Sequence, residues 1–252
     1  MRLSLITVAR NAGATIGDTM SSVGRQSMLP AEHLLIDGAS TDRTVAIARA
    51  SASHPLTVVS EPDSGLYDAM NKGVRLASGD IVGLLNADDI FAHEGVLGEI
   101  VTTLERNSDA AGCYADLVYV DRFNPAKVVR HWRSRPYEPG LFARGWVPPH
   151  PTLYLRREVY EKIGGFDLSY RLAADFEFML RLFEKHEFKL LHLPQVWVRM
   201  RLGGATSRDA RNVIAGNREI ARALRSQRVG WPPFTQTCRM LRRLPQFFSK
   251  PS

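Results

Sequence analysis

Cysteine and long apolar runs are scarce in this chain. Its 252 residues include only Cys113 and Cys238, so we expect no disulfide framework and a reducing compartment. No apolar run approaches the roughly 20 residues that a membrane-spanning helix needs. The first eight residues are too short for a signal peptide and predict a buried strand instead. These absences predict a cytoplasmic globular protein.

Acidic residues are missing from residues 225–252. That segment carries six basic residues, namely Arg225, Arg228, Arg239, Arg242, Arg243 and Lys250. It accounts for +6 of the net charge of +7, so the rest of the chain is nearly neutral. The basic balance therefore belongs to one segment, and we expect no nucleic-acid partner.

Bulky apolar side chains accompany these cations and define a C-terminal extension, residues 226–252. They are Trp231, Phe234, Leu241, Leu244, Phe247 and Phe248. Such a mixture is typical of a segment that lies on an anionic membrane surface, here as a peripheral attachment at the inner face. The alternative is a basic helix packed on its own domain or on a second subunit.

Strand and helix patterns alternate through the first half of the chain. Predicted strands cover residues 3–8, 33–36, 57–60 and 81–85, and predicted helices cover residues 15–26, 41–52, 66–77 and 94–106. Ser40 is the expected N-cap of the second helix. This alternation predicts an α/β fold with a mostly parallel sheet flanked by helices.

The second half is less regular. Residues 111–120 and 128–132 read as strands that pair, and residues 157–163 and 173–185 read as helices. Between these two pairs lies a loop rich in proline and glycine, residues 134–151, which is placed to line a substrate site.

Two adjacent carboxylates, Asp88 and Asp89, follow the apolar run 82–85. A buried carboxylate is costly without a cationic partner. A divalent cation such as Mg²⁺ or Mn²⁺ would remove that cost, since it prefers oxygen ligands and also contacts phosphates. The other interpretation is a solvated turn that caps the next helix.

Other polar residues also follow predicted strands directly, among them Asn11, Asp37 and Glu61. Ligands of parallel α/β sheets bind beyond the carboxyl ends of the strands. We therefore expect these residues and the acidic pair to meet in one crevice.

The segments 7–11, 36–42, 61–73, 86–89, 157–167 and 173–182 together resemble the family 2 glycosyltransferases, over roughly residues 3–207. That resemblance implies a GT-A-like Rossmannoid fold and inverting sugar transfer from a nucleotide donor, most simply a UDP-sugar. It also implies a domain over residues 1–225, with a nucleotide-sugar half (1–110) and an acceptor and catalytic half (111–225). The chain is similar to bacterial enzymes that build exopolysaccharide, O-antigen and glycolipids.

Three positions depart from the family pattern. Asp37 is followed by Gly38 where many relatives have a second aspartate. Asn86 replaces the first carboxylate of the acidic motif, which leaves Asp88 with most of the metal contact. Ala174 precedes Asp175 where relatives often have glutamate.

The resemblance assigns chemical roles. Asp88 is the expected ligand of a divalent metal (Mn²⁺ or Mg²⁺) on the donor diphosphate, with Asp89 as a second or water-mediated ligand. Asp175 is the expected general base, at the start of a helix whose dipole favours its ionised form. An ordinary helix cap is the alternative for Asp175, and Asp167 and Glu177 compete for its role.

Donor contacts are expected from a larger set of residues, whose other interpretation is structural in each case. Asp37 would bind the base or ribose, or else form a turn before a helix. Lys72 would reach phosphate or sugar, or else be solvated. The full set is Thr7, Ala9, Asn11, Asp37, Asp68, Asn71, Lys72 and Asn86. The glycine-rich stretch 203–207, after Arg201, would close over the diphosphate or serve as a connector.

The expected acceptor is a glycan or a lipid-linked molecule, and the second favours the membrane interpretation of the extension. His150 and Trp146 are expected in structural roles more than in acceptor contacts, and His192 and Trp197 in the sheet. A nucleotidyltransferase is a competing enzyme class, but the segment 9–13 is a poor phosphate loop. A non-catalytic binding module is disfavoured by the joint presence of Asp37, Asp88 and Asp175.

Overall fold

The computed structural model describes residues 1–186, 188–203 and 210–247. Its strands are β1 Leu3–Ala9, β2 Glu32–Asp37, β3 Thr57–Ser60, β4 Ile81–Leu84, β5 Ile90–Phe91, β6 Gly112–Val120, β7 Val128–Trp132, β8 Tyr154–Arg156 and β9 Leu190–Arg201. Its α-helices are α1 Ile16–Gly24, α2 Thr44–Ser51, α3 Leu66–Leu76, α4 Val96–Arg106, α5 Arg157–Ile163, α6 Ala174–Glu184, α7 Ala210–Gln227 and α8 Pro232–Arg243.

One sheet runs through both halves of the described chain, in the order β3-β2-β1-β4-β8-β6-β9-β5, with β7 paired to β6. Neighbouring strands from β3 to β4 are parallel, and so are β6 and β9. Strand β8 is antiparallel to both β4 and β6, so β6 runs in the direction of β4. The carboxyl ends of β1, β2, β4 and β6 therefore lie at one edge.

The parallel strands are apolar on both faces because helices cover both sides. All seven residues of β1 and all four of β4 are buried. Helix α3 packs closely on β1, since a Cβ on Gly73 would come within 2.4 Å of Ile6. A side chain at position 73 would therefore push α3 away from the sheet.

Most predicted elements are present within a few residues of their expected bounds. Ser40 was expected as the N-cap of α2, and this prediction was wrong. Helix α2 begins at Thr44, whose backbone N–H donates to Asp42 (2.9 Å), whereas the Ser40 hydroxyl donates to Asp37. The short strands β5 and β8 were not predicted, because two or three residues carry no readable period.

The extension does not project freely from the domain. Helix α8 has one face against residues 143–145, where the Thr235 hydroxyl donates to the Ala143 carbonyl (2.8 Å) and Arg242 donates to the Arg144 carbonyl (2.9 Å). Gly145 has φ +77°, and a Cβ there would lie 2.5 Å from the backbone nitrogen of Arg239. This packing is the alternative that the sequence left open.

The opposite face of α8 is apolar and exposed. Trp231, Phe234, Met240, Leu241 and Leu244 are each more than half exposed. Among the residues that the structure describes, no helix is both long enough and apolar enough to cross a bilayer. Phe248 and Lys250 of the predicted extension lie outside the described residues.

Candidate active site

The loops after β1 and β2 are joined to each other at the carboxyl edge of the sheet. The Asn11 side-chain oxygen accepts from the backbone N–H of Thr41 (2.9 Å), and the Asn11 backbone N–H donates to the Ser40 hydroxyl (2.8 Å). Asn11 has φ +50°, a conformation that asparagine tolerates well. The predicted donor residue Asn11 therefore also shapes this loop pair.

Asp37 is completely buried at the end of β2. Its carboxylate accepts from the Ser40 backbone N–H (3.0 Å), from the Ser40 hydroxyl and from the Ser60 hydroxyl (2.6 Å). These contacts are the ones expected if Asp37 forms a turn before the helix, the alternative that the sequence left open. Since a carboxylate accepts about four hydrogen bonds, one position remains for a ligand.

Two predicted donor residues on β1 differ in their surroundings. The Thr7 side chain is fully buried, with its hydroxyl 2.9 Å from His33 Nε2, so it belongs to the core rather than to the crevice. Ala9 pairs with Asp37 at the strand end, and its carbonyl accepts from the Gly38 backbone N–H (2.8 Å). Its side chain is buried in a core cluster with Ile16 and Met20.

The acidic motif forms a tight turn after β4. The Asp89 backbone N–H donates to the Asn86 carbonyl (3.1 Å), and the Asn86 side-chain amide donates to the Asp89 carboxylate (3.0 Å). Asp88 is half-buried and Asp89 is fully buried. Burial raises the pKa of Asp89 well above its usual range, and the charge of Asp88 adds to this rise.

The oxygens of this turn fit a hard divalent cation. Asn86 Oδ1 and Asp89 Oδ1 are buried and have no hydrogen-bond partner. Oxygens of this kind are the ligands that Mg²⁺ and Mn²⁺ prefer. In the part of the chain that the structure describes, no group of three or more acidic, histidine or cysteine side chains is arranged to hold a metal.

Three predicted donor residues on α3 have structural partners instead. Asp68 accepts from the Ser64 backbone N–H (3.0 Å) ahead of the helix. The Asn71 amide both donates to and accepts from the Phe166 backbone, each at 2.8 Å. Lys72 forms an ion pair with Glu61 (2.9 Å) and donates to the Pro62 carbonyl (2.7 Å). These contacts hold α3 against its loops.

Asp175 lies in the first turn of α6 and is half-buried. Its carboxylate accepts from the Tyr67 hydroxyl (3.0 Å) and from the Phe176 backbone N–H (2.8 Å). Burial, and secondarily the charge of Asp175, raise the pKa of Tyr67 well above its usual range, so this hydroxyl stays protonated. The competitor Glu177 is buried in an ion pair with Arg181 (3.0 Å), and Asp167 is an exposed turn residue.

Glu219 on α7 holds the chain that leads into α6. Its carboxylate accepts from three successive backbone N–H groups, those of Arg171 (3.0 Å), Leu172 (2.8 Å) and Ala173 (2.9 Å). The sequence analysis missed this residue, because nothing in a polar helix marks one glutamate as a partner of a distant loop. Glu219 positions Asp175 through the backbone.

The remaining aromatic and histidine residues were expected in structural roles, and their surroundings in the structure agree with this. Trp146 is buried among Tyr114, Phe142 and Phe183, and Trp197 and His192 lie in β9. His150 is also buried, and its ring meets that of Phe166 at 5.5 Å. The residues 204–207 of the predicted lid lie outside the described residues.

Comparison with known proteins decides the family. The model for "Glycosyl transferase family 2" matches residues 4–164, which is more than half of the chain. The chain belongs to glycosyl transferase family 2. A "PGL/p-HBAD biosynthesis glycosyltransferase" of Mycobacterium bovis is 32% identical over 183 residues, covering 71% of this chain and 69% of that protein. The chain is thus a glycosyltransferase.

Solved structures show the same fold. The mannosyltransferase PcManGT from Pyrobaculum calidifontis, in complex with GDP-Man and Mn²⁺, has a TM-score of 0.64 at 19% identity and covers 98% of this chain and 73% of its own. TarS 1-349 of S. aureus, in complex with UDP-GlcNAc, has a TM-score of 0.64 at 14% identity over 90% of this chain. The chain spans 65% of that TarS fragment and 40% of a longer TarS chain. The α/β fold with a mostly parallel sheet is therefore that of GT-A glycosyltransferases.

Proposed function

We propose that this family 2 enzyme is a metal-dependent, inverting glycosyltransferase. It transfers a hexose-type sugar from a nucleotide-sugar donor, most simply a UDP-sugar, to a glycan or lipid-linked acceptor of bacterial surface polysaccharide or glycolipid synthesis. The observation that carries the proposal is the acidic turn 86–89. In this turn Asn86 Oδ1 and Asp89 Oδ1, on either side of Asp88 in the sequence, are buried and have no hydrogen-bond partner. A relative named as a PGL/p-HBAD biosynthesis glycosyltransferase, and neighbours in complex with UDP-GlcNAc or GDP-Man, support a glycosyltransferase that uses a nucleotide-sugar donor.

The reaction has two requirements. The negative charge that grows on the leaving diphosphate must be neutralised, and the acceptor hydroxyl must lose its proton. The acceptor oxygen forms a bond to the anomeric carbon as the bond to the diphosphate oxygen breaks, and the electron pair leaves with the diphosphate. When bound at Asp88 and Asp89, a divalent cation would neutralise that growing negative charge. Asp175 takes the proton of the acceptor hydroxyl. Tyr67 and the Phe176 backbone N–H hold one Asp175 oxygen, which leaves the other for the acceptor.

The first half of the chain, residues 1–110, binds the nucleotide in this proposal, and residues 111–225 supply the base and the acceptor surface. Asp37 and Asn11 contact the base or ribose, since they lie together at the carboxyl edge. Asp68, Asn71 and Lys72 remain expected donor residues, and their contacts within the protein also hold α3 against its loops.

A panel of nucleotide sugars tests this proposal. Thermal unfolding is measured with UDP- and GDP-sugars, each with Mn²⁺ and with EDTA, and hydrolysis of the best donor is then followed. A ligand at about 100 times its Kd should add roughly 2.7 kcal/mol of stability. We expect one donor to raise Tm strongly with Mn²⁺ and weakly with EDTA. No shift and no hydrolysis with any donor would contradict the proposal and favour a non-catalytic module.

A further inference from the structure

Positive charge accumulates beside Asp175, and two of its sources are on α8. The Arg239 guanidinium lies 5.1 Å from the ring centroid of Phe176, the residue that follows the candidate base. The Arg130 guanidinium on β7 lies 3.9 Å from the ring centroid of Tyr119. Burial lowers the pKa of Arg239 to about 10, and the charge of Arg243 adds to this effect. The charge of Arg243 also contributes to lowering the pKa of Arg130.

Arg130, Arg239 and Arg243 form a basic cluster. Asp175 attracts Arg239 electrostatically, and Tyr119 interacts electrostatically with all three arginines as well as with Asp89. The cluster is therefore linked to the base through Arg239 and to the acidic turn through Tyr119. In the described part of the chain, neither Arg239 nor Arg243 has a hydrogen bond or salt bridge from its side chain to an acidic group.

Two other cations lie near this edge. Lys72 is paired with Glu61, and one nitrogen of the buried Arg201 guanidinium contacts Asp18, while Arg201 Nε and Nη1 have no hydrogen-bond partner. A diphosphate that enters between Asp88, Asp89 and Asp175 meets three carboxylates. Cations beyond the metal would thus favour its binding, and arginine suits phosphate because its planar fork donates two parallel hydrogen bonds.

We propose that α8 completes the donor site, with Arg239 and Arg243 joining Arg130 to bind the diphosphate of the nucleotide sugar. This inference rests on the proposed function. It gives the C-terminal helix a direct part in catalysis, since its arginines stabilise the charge that grows on the leaving group. The docking of Thr235 and the close approach at Gly145 fix the helix so that Arg239 reaches the crevice.

Calorimetric titration of the full chain tests the assignment. Arg239→Gln and Arg243→Gln are compared with wild type for UDP, UMP, GDP and GMP, with Mn²⁺ and with EDTA. Arg225→Gln is the matched control, since it loses the same charge at an exposed position of α7. We expect each site variant to lose roughly 10-fold to 100-fold in diphosphate affinity, the usual effect of losing a hydrogen bond to a charged group. Monophosphate affinity and the control should change much less.

Further variants separate binding from folding. Arg239→Lys keeps the charge and should retain part of the diphosphate affinity, while Arg243 is exposed and its substitution should leave Tm unchanged. Unaltered diphosphate affinity in both glutamine variants would overturn the inference while leaving the proposed function intact. A higher KM for the acceptor with unchanged donor affinity would assign the cluster to an acceptor anion instead. If wild type binds no nucleotide, the inference and the proposed function both fail.

Discussion

At the scale of single residues, the side chains at the sheet edge divide into those with unused polar atoms and those without. Asn86 Oδ1 and Asp89 Oδ1 are buried without hydrogen-bond partners, whereas Tyr67 and the Phe176 backbone N–H donate to the same oxygen of Asp175. Thr7 and Asn71, in contrast, form hydrogen bonds within the protein. The sequence pattern placed all of these near one edge, but only the contacts separate ligand-facing atoms from structural ones.

Asp175→Asn tests the general base. The amide cannot accept the acceptor proton, so turnover should fall by roughly 10²–10⁴-fold. Nucleotide affinity should stay within a few-fold of wild type, because the donor contacts that we propose lie at Asp37 and the acidic turn. Steady-state kinetics and titration of the nucleoside diphosphate measure the two effects. A collapse of donor affinity with turnover preserved at saturation would make Asp175 a binding residue.

His33 makes stability depend on pH. Burial lowers the pKa of His33 to about 3, from 6.5 in an unfolded chain, and the neighbouring His54 adds to this. The unfolded state therefore binds more protons between these two values. Stability is complete above pH 6.5 and should decrease toward pH 3 by about 1.4 kcal/mol per pH unit from this group.

The measurement is denaturant unfolding of wild type and His33→Gln at several pH values. Slopes are compared rather than absolute stabilities, since the substitution also removes the contact with Thr7. The slope between pH 6.5 and the acid limit of folding should be shallower in the variant. Equal slopes would show that His33 does not carry this dependence.

At the scale of elements, α8 is held on the domain by a close backbone approach. Gly145→Ala would place a Cβ about 2.5 Å from the Arg239 nitrogen, and its φ of +77° adds strain. Gly140→Ala is a matched control, since φ there is +81° but its nearest neighbour is 3.9 Å away. We expect Gly145→Ala to cost about 1–3 kcal/mol more in unfolding free energy than the control. Equal losses would show that the contact with α8 contributes nothing.

Element prediction succeeded through most of the first half of the chain, but it missed β9 and α7 in the second half and elements that depend on distant partners. Helix α3, α5 and strand β3 begin where the pattern placed them, because their apolar spacing and flanking glycine or proline residues are local signals. Strands β5 and β8 exist only because β9, β4 and β6 pair with them. The docking of α8, and with it the position of Arg239, depends on Gly145 nearly 100 residues earlier, which no local pattern reveals.

At the scale of the whole molecule, α8 has two faces with different surroundings. The inner face packs on the domain, while Phe234 and Leu241 on the outer face are 53% and 59% exposed beside a basic segment. We propose that this outer face contacts an anionic membrane surface, where a lipid-linked acceptor would be presented. Deleting the segment would also remove the Thr235 contact and uncover residues 143–145, so point variants are the cleaner test.

Co-sedimentation with anionic and neutral vesicles measures this contact. The double variant Phe234→Ser and Leu241→Ser should bind anionic vesicles at least several-fold more weakly than wild type, since it loses apolar area at the surface. Leu29→Ser with Leu76→Ser is the control, because those leucines are 41% and 50% exposed elsewhere. Binding that is equal in wild type and the double variant would exclude the outer face as a membrane contact.

The proposed mechanism depends most on a divalent cation held by the acidic turn. The direct measurement is calorimetric titration of the preferred nucleoside diphosphate into wild type, Asp88→Asn and Asp175→Asn, each with Mn²⁺ and with EDTA. Wild type and Asp175→Asn should bind far more tightly with Mn²⁺, whereas Asp88→Asn should bind weakly in both conditions and remain folded. Metal-independent binding by wild type, or full metal-dependent affinity in Asp88→Asn, would contradict the central claim.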